Sequence, residues 1–230
     1  MSSGDAPVLR GVILDLDGVL VSTDGFHFRA WKELADGLGL DFDEAVNHRL
    51  RGVSRSESLR LIFEHNRRPP PPSEEFEELC ARKNLSYVEL VGRMTPADVL
   101  PGAVRLLDEL RAAGIQSAVA SASRNTPLVL ERTGLRAHLD AVADGNDVSR
   151  SKPDPEVFLV AAGRLGLRPE ECVGVEDAAA GVEAIHRAGM AAAGIGAGAI
   201  GAERIFASVA DLDVPALTEV FEKGGGGRRR

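Results

Sequence analysis

The sequence predicts an α/β fold, a parallel sheet with helices on both faces, interrupted after its first strand by an all-helical block. Three observations carry this expectation. Apolar residues open the chain as a buried strand, Val12-Ile13-Leu14 followed by Leu16 and Val19 to Val21. From residue 26 to 92 helical spacing takes over without any strand pattern, and from Pro96 strand and helix patterns alternate. A chain of 230 residues, 44% of them hydrophobic, is long enough for one sizeable core and a smaller second unit.

Each element has its local signature. "FHFRAWKELADGLGL" sets Phe28, Trp31, Leu34, Ala35 and Leu38 at helical spacing. "SRSESLRLIFEHN" continues in that style, as does "SEEFEELCARKNLSYVELVGRM" after the breaker Pro69 to Pro72. Acid runs such as Glu74–Glu75 read as solvated helix faces. Beyond Pro96, "AVRLLDELRAAG" is a helix closed by Gly114, "IQSAVAS" a strand, "TPLVLERTGL" a helix from near Pro127, and "LDAVADG" a short strand. "DPEVFLVAAGRLGL" is a helix with Pro155 in its first turn, "CVGVED" a strand, "AAAGVEAIHRAG" a helix and "MAAAGIG" a strand. The expected organisation is a discontinuous α/β core, 1–22 and 95–230, with a helical insertion at 23–94. The tail GGGGRRR is low-complexity.

Bulk properties narrow the function. A net charge of −8 gives no attraction to nucleic acid or to an anionic membrane. No apolar run approaches the roughly 20 residues that span a bilayer, and the start lacks a secretory pattern. Cys80 and Cys172 lie far apart and read as reduced thiols, so a cytoplasmic protein is expected.

The chemistry sits at the strand ends. Asp15 and Asp17 fall inside the first apolar run, and burying uncompensated carboxylates costs several kcal/mol each. Three more strands end in polar groups: Ser121-Ala122-Ser123-Arg124-Asn125, then Lys152-Pro153-Asp154-Pro155, and Glu176-Asp177. Ligands of an open parallel sheet bind beyond its carboxyl ends, where all four would converge. Asp15, Asp17 and one or both of Glu176 and Asp177 supply oxygen ligands for magnesium. Asp15 can attack phosphorus as a carboxylate nucleophile, with Lys152, the Ser121 hydroxyl and backbone N–H groups neutralising the phosphoryl group. Asp17, expected to turn the other way along the backbone, is the candidate general acid/base.

Asp15-Leu16-Asp17-Gly18-Val19-Leu20, Ser121, Lys152 and Glu176-Asp177 resemble the four signature motifs of the haloacid dehalogenase superfamily of phosphotransferases. That resemblance implies a Rossmann-like parallel-sheet core with an inserted α-helical cap. A narrower resemblance, to the β-phosphoglucomutase family, runs from about Val12 to Gly196. It rests on "DLDGV…FHFRAW", "LRGVSRSES", "RKN", "TPADVLPG", "ASASRN" and "SKPDPEVF". It implies an isomerase interconverting β-D-glucose 1-phosphate and D-glucose 6-phosphate through β-D-glucose 1,6-bisphosphate, with Mg²⁺, in a monomer. By the same resemblance Asp15 is phosphorylated and Asp17 is the acid/base. Asp15, the Asp17 carbonyl and Asp177 hold the metal, with Glu176 beside them. Ser121, the Ala122 amide and Lys152 hold the phosphoryl group in transfer. Arg55, Ser123, Arg124 and Asn125 grip the second phosphate. Thr23, His27 and Lys83 position Asp17, while Trp31, Gly52, Val53 and Ser58 line the sugar site. Arg51 and Arg124 stand where that family often has lysine; the charge is kept and the phosphate geometry altered. A sugar-phosphate phosphatase of the same superfamily would use the same Asp15 and Asp17, and release of free phosphate tells the two apart.

Overall fold

Six strands alternate with helices along most of the chain, in a computed structural model that describes residues 8–50 and 53–224. They are β1 (Gly11–Leu14), β2 (Gln116–Ala120), β3 (Ala141–Ala143), β4 (Cys172–Glu176), β5 (Ala191–Ile195) and β6 (Arg204–Phe206). All pair in parallel, in the order β3-β2-β1-β4-β5-β6. β1 therefore lies centrally, in register with β2 on one side and β4 on the other, Leu14 opposite both Val119 and Val175.

Side-chain alternation divides the strands between two cores. Val12, Leu14, Val119, Val173 and Val175 face α5 (Ala103–Ala112), α6 (Thr126–Thr133) and α9 (Val214–Lys223), through Leu106, Leu110, Leu130, Leu217 and Phe221. Ile13, Ala118, Ala120 and Ala192 face α7 (Glu156–Leu165) and α8 (Ala179–Arg187), through Phe158, Ala161, Val182 and Ile185. The short strand residues on this second face let those helices approach closely.

Between β1 and α5 stand α1 (Asp24–Leu38), α2 (Glu44–His48), α3 (Arg55–His65) and α4 (Ser73–Val91). Trp31, Leu34, Leu59, Ile62, Phe63 and Leu79 give this block a core of its own. Ala30, Tyr87 and Val91 instead join the core against the sheet, so α1 and α4 tie the block down.

The structure corrects several expectations. β1 stops at Leu14 and does not run to Val21. Residues 16–21 form a tight loop that buries Leu16, Val19, Leu20 and Val21, in which Gly18 N–H donates to the Val21 carbonyl and the Leu20 and Val21 N–H groups donate to the Leu16 carbonyl. Gly18 adopts φ 83°, and a Cβ there would lie 2.2 Å from Asp177 Oδ2, so only glycine fits. Pro155 precedes α7 as its cap and is not in its first turn. α2, β6 and α9 carry no expectation from the sequence pattern. Arg51, Gly52 and the tail from 225 lie outside the described residues. Cys80 and Cys172 are free thiols, and no helix among the described residues is long and apolar enough to cross a membrane.

Candidate active site

The strand order reverses at β1 and β4, so connections leave these neighbours in opposite directions and open a crevice at their carboxyl ends. Asp15 follows β1, Glu176 ends β4 and Asp177 comes next. Lys152, on the loop between β3 and α7, inserts its fully buried side chain between them. Its Nζ donates to Asp15 Oδ1 at 2.5 Å and to Glu176 Oε2 at 3.2 Å. Desolvation pulls the Lys152 pKa down, but the two carboxylates outweigh it and leave the group raised above its ordinary value. Glu176 is pushed well above the usual carboxylate range by desolvation and then by the Asp15 charge.

Asp15, Glu176 and Asp177 each offer an oxygen within 4.8 Å of the others. A donor set made only of carboxylate oxygens is the preference of a hard divalent cation such as Mg²⁺. Glu176 Oε1 is also buried with no hydrogen-bond partner, so Lys152 alone does not satisfy this carboxylate. Both observations fit a metal site. Gly181 completes the packing, since a Cβ there would lie 2.0 Å from Glu176 Oε1.

Asp17 meets a different environment. Side chains two apart on a strand share a face. The strand ends at Leu14, and Asp17 takes partners different from those of Asp15. Its Oδ1 accepts from Thr23 N–H and its Oδ2 from the Thr23 hydroxyl, both at 2.6 Å. Desolvation, only partly offset by these bonds, pushes Asp17 up to about 6, with the Asp15 and Asp24 charges adding to the rise. Lys83 Nζ lies 2.9 Å from His27 Nδ1, which accepts when the imidazole proton is on Nε2. The same Nζ stands 4.8 Å from the Trp31 ring and 4.5 Å from the Tyr87 ring. Desolvation and the nearby Arg55 bring Lys83 down to about 7, and desolvation with the Lys83 charge holds His27 well below its ordinary value.

A cavity of about 720 Å³ separates the helical block from the strand ends. Its walls include Asp15, Asp17, His27, Trp31, Val53, Arg55, Ser58, Lys83, Ser121, Ala122, Ser123, Arg124, Asn125 and Lys152. Thr23, Glu176 and Asp177 are not part of its lining; Thr23 bonds Asp17, Glu176 bonds Lys152, and Asp177 offers an oxygen within 4.8 Å of Asp15. The turn after β2 is pinned by Ser121 Oγ accepting from Ser123 N–H and Ser123 Oγ from Asn125 N–H, each at 3.2 Å. Arg124 Nε donates to the Gly145 carbonyl at 3.2 Å, and its charge acts on Arg55, whose pKa is lowered by desolvation and then by Arg124. The Ser58 hydroxyl donates to the Ser54 carbonyl. Two residues of the site carry no expected role, although Asn84 closes the RKN segment. Asn84 Oδ1 accepts from Asn125 Nδ2 at 2.8 Å, and the Tyr87 hydroxyl donates to Thr23 Oγ1 at 3.3 Å. Their signal was positional: Asn84 follows Lys83, and Tyr87 lies one turn beyond it.

The model of the haloacid dehalogenase-like hydrolase family matches residues 9–189, which hold all of these groups. The chain belongs to that family. Like this family member, the β-phosphoglucomutase of Bacillus subtilis (strain 168) has a chain of similar extent. The two are 41% identical over 219 residues, 94% of this chain and 96% of the other. A solved β-phosphoglucomutase from Clostridium difficile superposes with a TM-score of 0.89 at 35% identity, over 94% of this chain and 98% of that one. The phosphorylated carbohydrates phosphatase of Thermotoga maritima is 29% identical, over 79% of this haloacid dehalogenase-like chain and 82% of its own. The arrangement can present a nucleophilic carboxylate beside a buried ammonium, and a second carboxylate able to exchange a proton near neutral pH.

Proposed function

We propose that the chain is a β-phosphoglucomutase, interconverting β-D-glucose 1-phosphate and D-glucose 6-phosphate through β-D-glucose 1,6-bisphosphate. The observation that carries the reading is a single cavity holding the Asp15–Lys152 pair and also Arg55 and Arg124, two cations contributed by separate elements. A mutase intermediate bears two phosphates and must bind in both orientations, which calls for two anion sites facing one sugar. The kinship with β-phosphoglucomutases over nearly the whole chain supports the same reading.

In the proposed reaction an Asp15 oxygen bonds to phosphorus as the bond from phosphorus to the sugar oxygen breaks. Asp17 gives its proton to that oxygen, and in the reverse direction takes one from the sugar hydroxyl. Lys152, the Ser121 hydroxyl and the Ala122 amide offset charge on the phosphoryl oxygens. Asp15, Asp177 and the Asp17 carbonyl, with Glu176 beside them, would hold Mg²⁺, which when bound neutralises phosphoryl charge. Arg55, Ser123, Arg124 and Asn125 take the other phosphate. Trp31, Val53 and Ser58 line the sugar. Residues 23–94 act as a cap on the core 1–22 and 95–230, and shield the aspartyl phosphate from water. Thr23, His27 and Lys83 position Asp17. The enzyme acts as a cytoplasmic monomer on free sugar phosphates.

The test is a coupled assay with Mg²⁺ and a trace of β-glucose 1,6-bisphosphate, given α- and β-glucose 1-phosphate separately. Glucose 6-phosphate from the β anomer only, with little free phosphate, is the expected result. Free phosphate without glucose 6-phosphate would make the chain a sugar-phosphate phosphatase.

A further inference from the structure

Tyr87 is the only tyrosine in the chain, and just 1% of it is exposed. It belongs to none of the motifs. A buried aromatic that serves packing alone is better supplied by phenylalanine, because a buried phenol must find a partner for its O–H. Here the partner is specific. The Tyr87 hydroxyl reaches Thr23 Oγ1 at 3.3 Å, and that hydroxyl reaches Asp17 Oδ2 at 2.6 Å. Thr23 has one hydroxyl proton and spends it on Asp17. The Tyr87 proton therefore fills a lone pair on Thr23 Oγ1 and fixes the direction in which the Thr23 hydroxyl points. The ring is engaged as well. It lies 4.1 Å from the His27 ring, tilted by 31°, with Lys83 Nζ 4.5 Å above its face. Desolvation holds its phenol above the ordinary pKa, so it remains a donor at working pH. One side chain thus touches all three of the groups around Asp17.

Resting on the mutase reading, we infer that Tyr87 is a positioning residue that aligns Asp17 through Thr23 and governs those steps in which a proton passes to or from a sugar oxygen. Steps that need no proton are independent of it. Phosphorylation of Asp15 separates the two cases. With β-glucose 1,6-bisphosphate, the leaving sugar oxygen takes the electron pair of the broken P–O bond and a proton from Asp17. With acetyl phosphate, acetate leaves with the electron pair and needs no proton.

The experiment follows single-turnover phosphorylation of Asp15 by intact mass, with Mg²⁺ and each donor in turn, in wild type and Y87F. Y87F is expected to slow the sugar donor about tenfold and leave acetyl phosphate within about twofold. In a T23V background Y87F should add no further donor discrimination, because the relay is already cut. Equal slowing with both donors, no slowing, or a gain on the sugar donor overturns the inference, as does a full Y87F effect in T23V. Wild-type formation of glucose 6-phosphate from β-glucose 1-phosphate is scored alongside. Its absence removes the mutase reading, while the donor ratio still judges Tyr87.

Discussion

Asp15 and Glu176 at the ends of β1 and β4, with Lys152 from the loop before α7, form one polar cluster. Asp17, Thr23, His27, Lys83 and Tyr87, between the β1 turn and helices α1 and α4, form another. Both are withdrawn from water, yet they offset the cost in opposite ways. The first pairs unlike charges at close range, which drives Lys152 toward its protonated form. The second uses hydroxyl groups, an imidazole and aromatic faces, and desolvation brings Asp17 to about 6 and Lys83 to about 7. A group with a pKa near the working pH loses or gains a proton at little cost. In the proposed reaction one cluster holds charge against a phosphoryl group and the other lets a proton move.

Removing the ammonium is the largest expected way to break that contrast. K152M leaves Asp15 and Glu176 buried without their partner, a change that costs roughly 3–5 kcal/mol in comparable buried pairs. Urea unfolding without Mg²⁺ should show it. Mutase turnover with Mg²⁺ should fall by about 100- to 1,000-fold, the range for losing one preorganised charge. Adding E176Q should restore part of the stability and none of the turnover. Wild-type stability in K152M would mean that opposite charge does not hold this cluster.

The two clusters also differed in how legible they were. Asp15, Lys152 and Glu176 are conspicuous because charged residues at the ends of apolar strands need a compensating partner or metal. Thr23, His27 and Lys83 emerged only through family resemblance, since one polar residue on an amphipathic helix has many ordinary uses. Tyr87 could not be told from core packing, because the fate of its hydroxyl is decided by Thr23, far away in sequence. The fold follows the same rule. β1 to β5 and the longer helices show their periods. β6 has two of its three residues exposed, so no apolar run marks it as one marks the equally short β3, and α2, five residues, is too short to show a period. The overextended β1 came from the buried run at 16–21, which matches a strand in composition; Gly18 was the one local sign of a turn. α9 did carry signals, Asp213 capping Ala216 N–H and a proline in its first turn.

A smaller effect sharpens the comparison from the proton-moving side. Burial in the fold lowers Lys83 from 10.5 to about 7. Between those values the unfolded chain binds a proton that the folded chain does not, so this residue makes stability rise with pH. Its contribution is fully present above the unfolded value and is lost as pH falls through the folded one. K83M abolishes the contribution; it also relieves His27 of the Lys83 charge, but desolvation still holds that imidazole below its ordinary value and so below the pH range compared. Between about pH 7.5 and about pH 9.5, wild type should gain on the order of 1–3 kcal/mol relative to K83M. Urea denaturation at both values checks this, and parallel pH profiles would mean that Lys83 is not desolvated in the folded protein.

The smallest effect concerns the bond that joins the helical block to the core at the far side of the cavity. Asn125 Nδ2 donates to Asn84 Oδ1 at 2.8 Å, which ties the turn after β2 to α4. A neutral hydrogen bond is worth about 1 kcal/mol, so N84A should raise KM for β-glucose 1-phosphate about two- to fivefold. It should leave kcat unchanged, because Asn84 touches neither cluster's titrating groups in the hydrogen-bond network around Asp17 or Lys152. A fall in kcat instead would show that α4 transmits strain from this bond to Lys83 and Tyr87 on the same helix. The turn after β2 and the proton-moving cluster would then be mechanically coupled through α4, and the Thr23 relay would not be the sole route by which the rest of the cavity acts on Asp17.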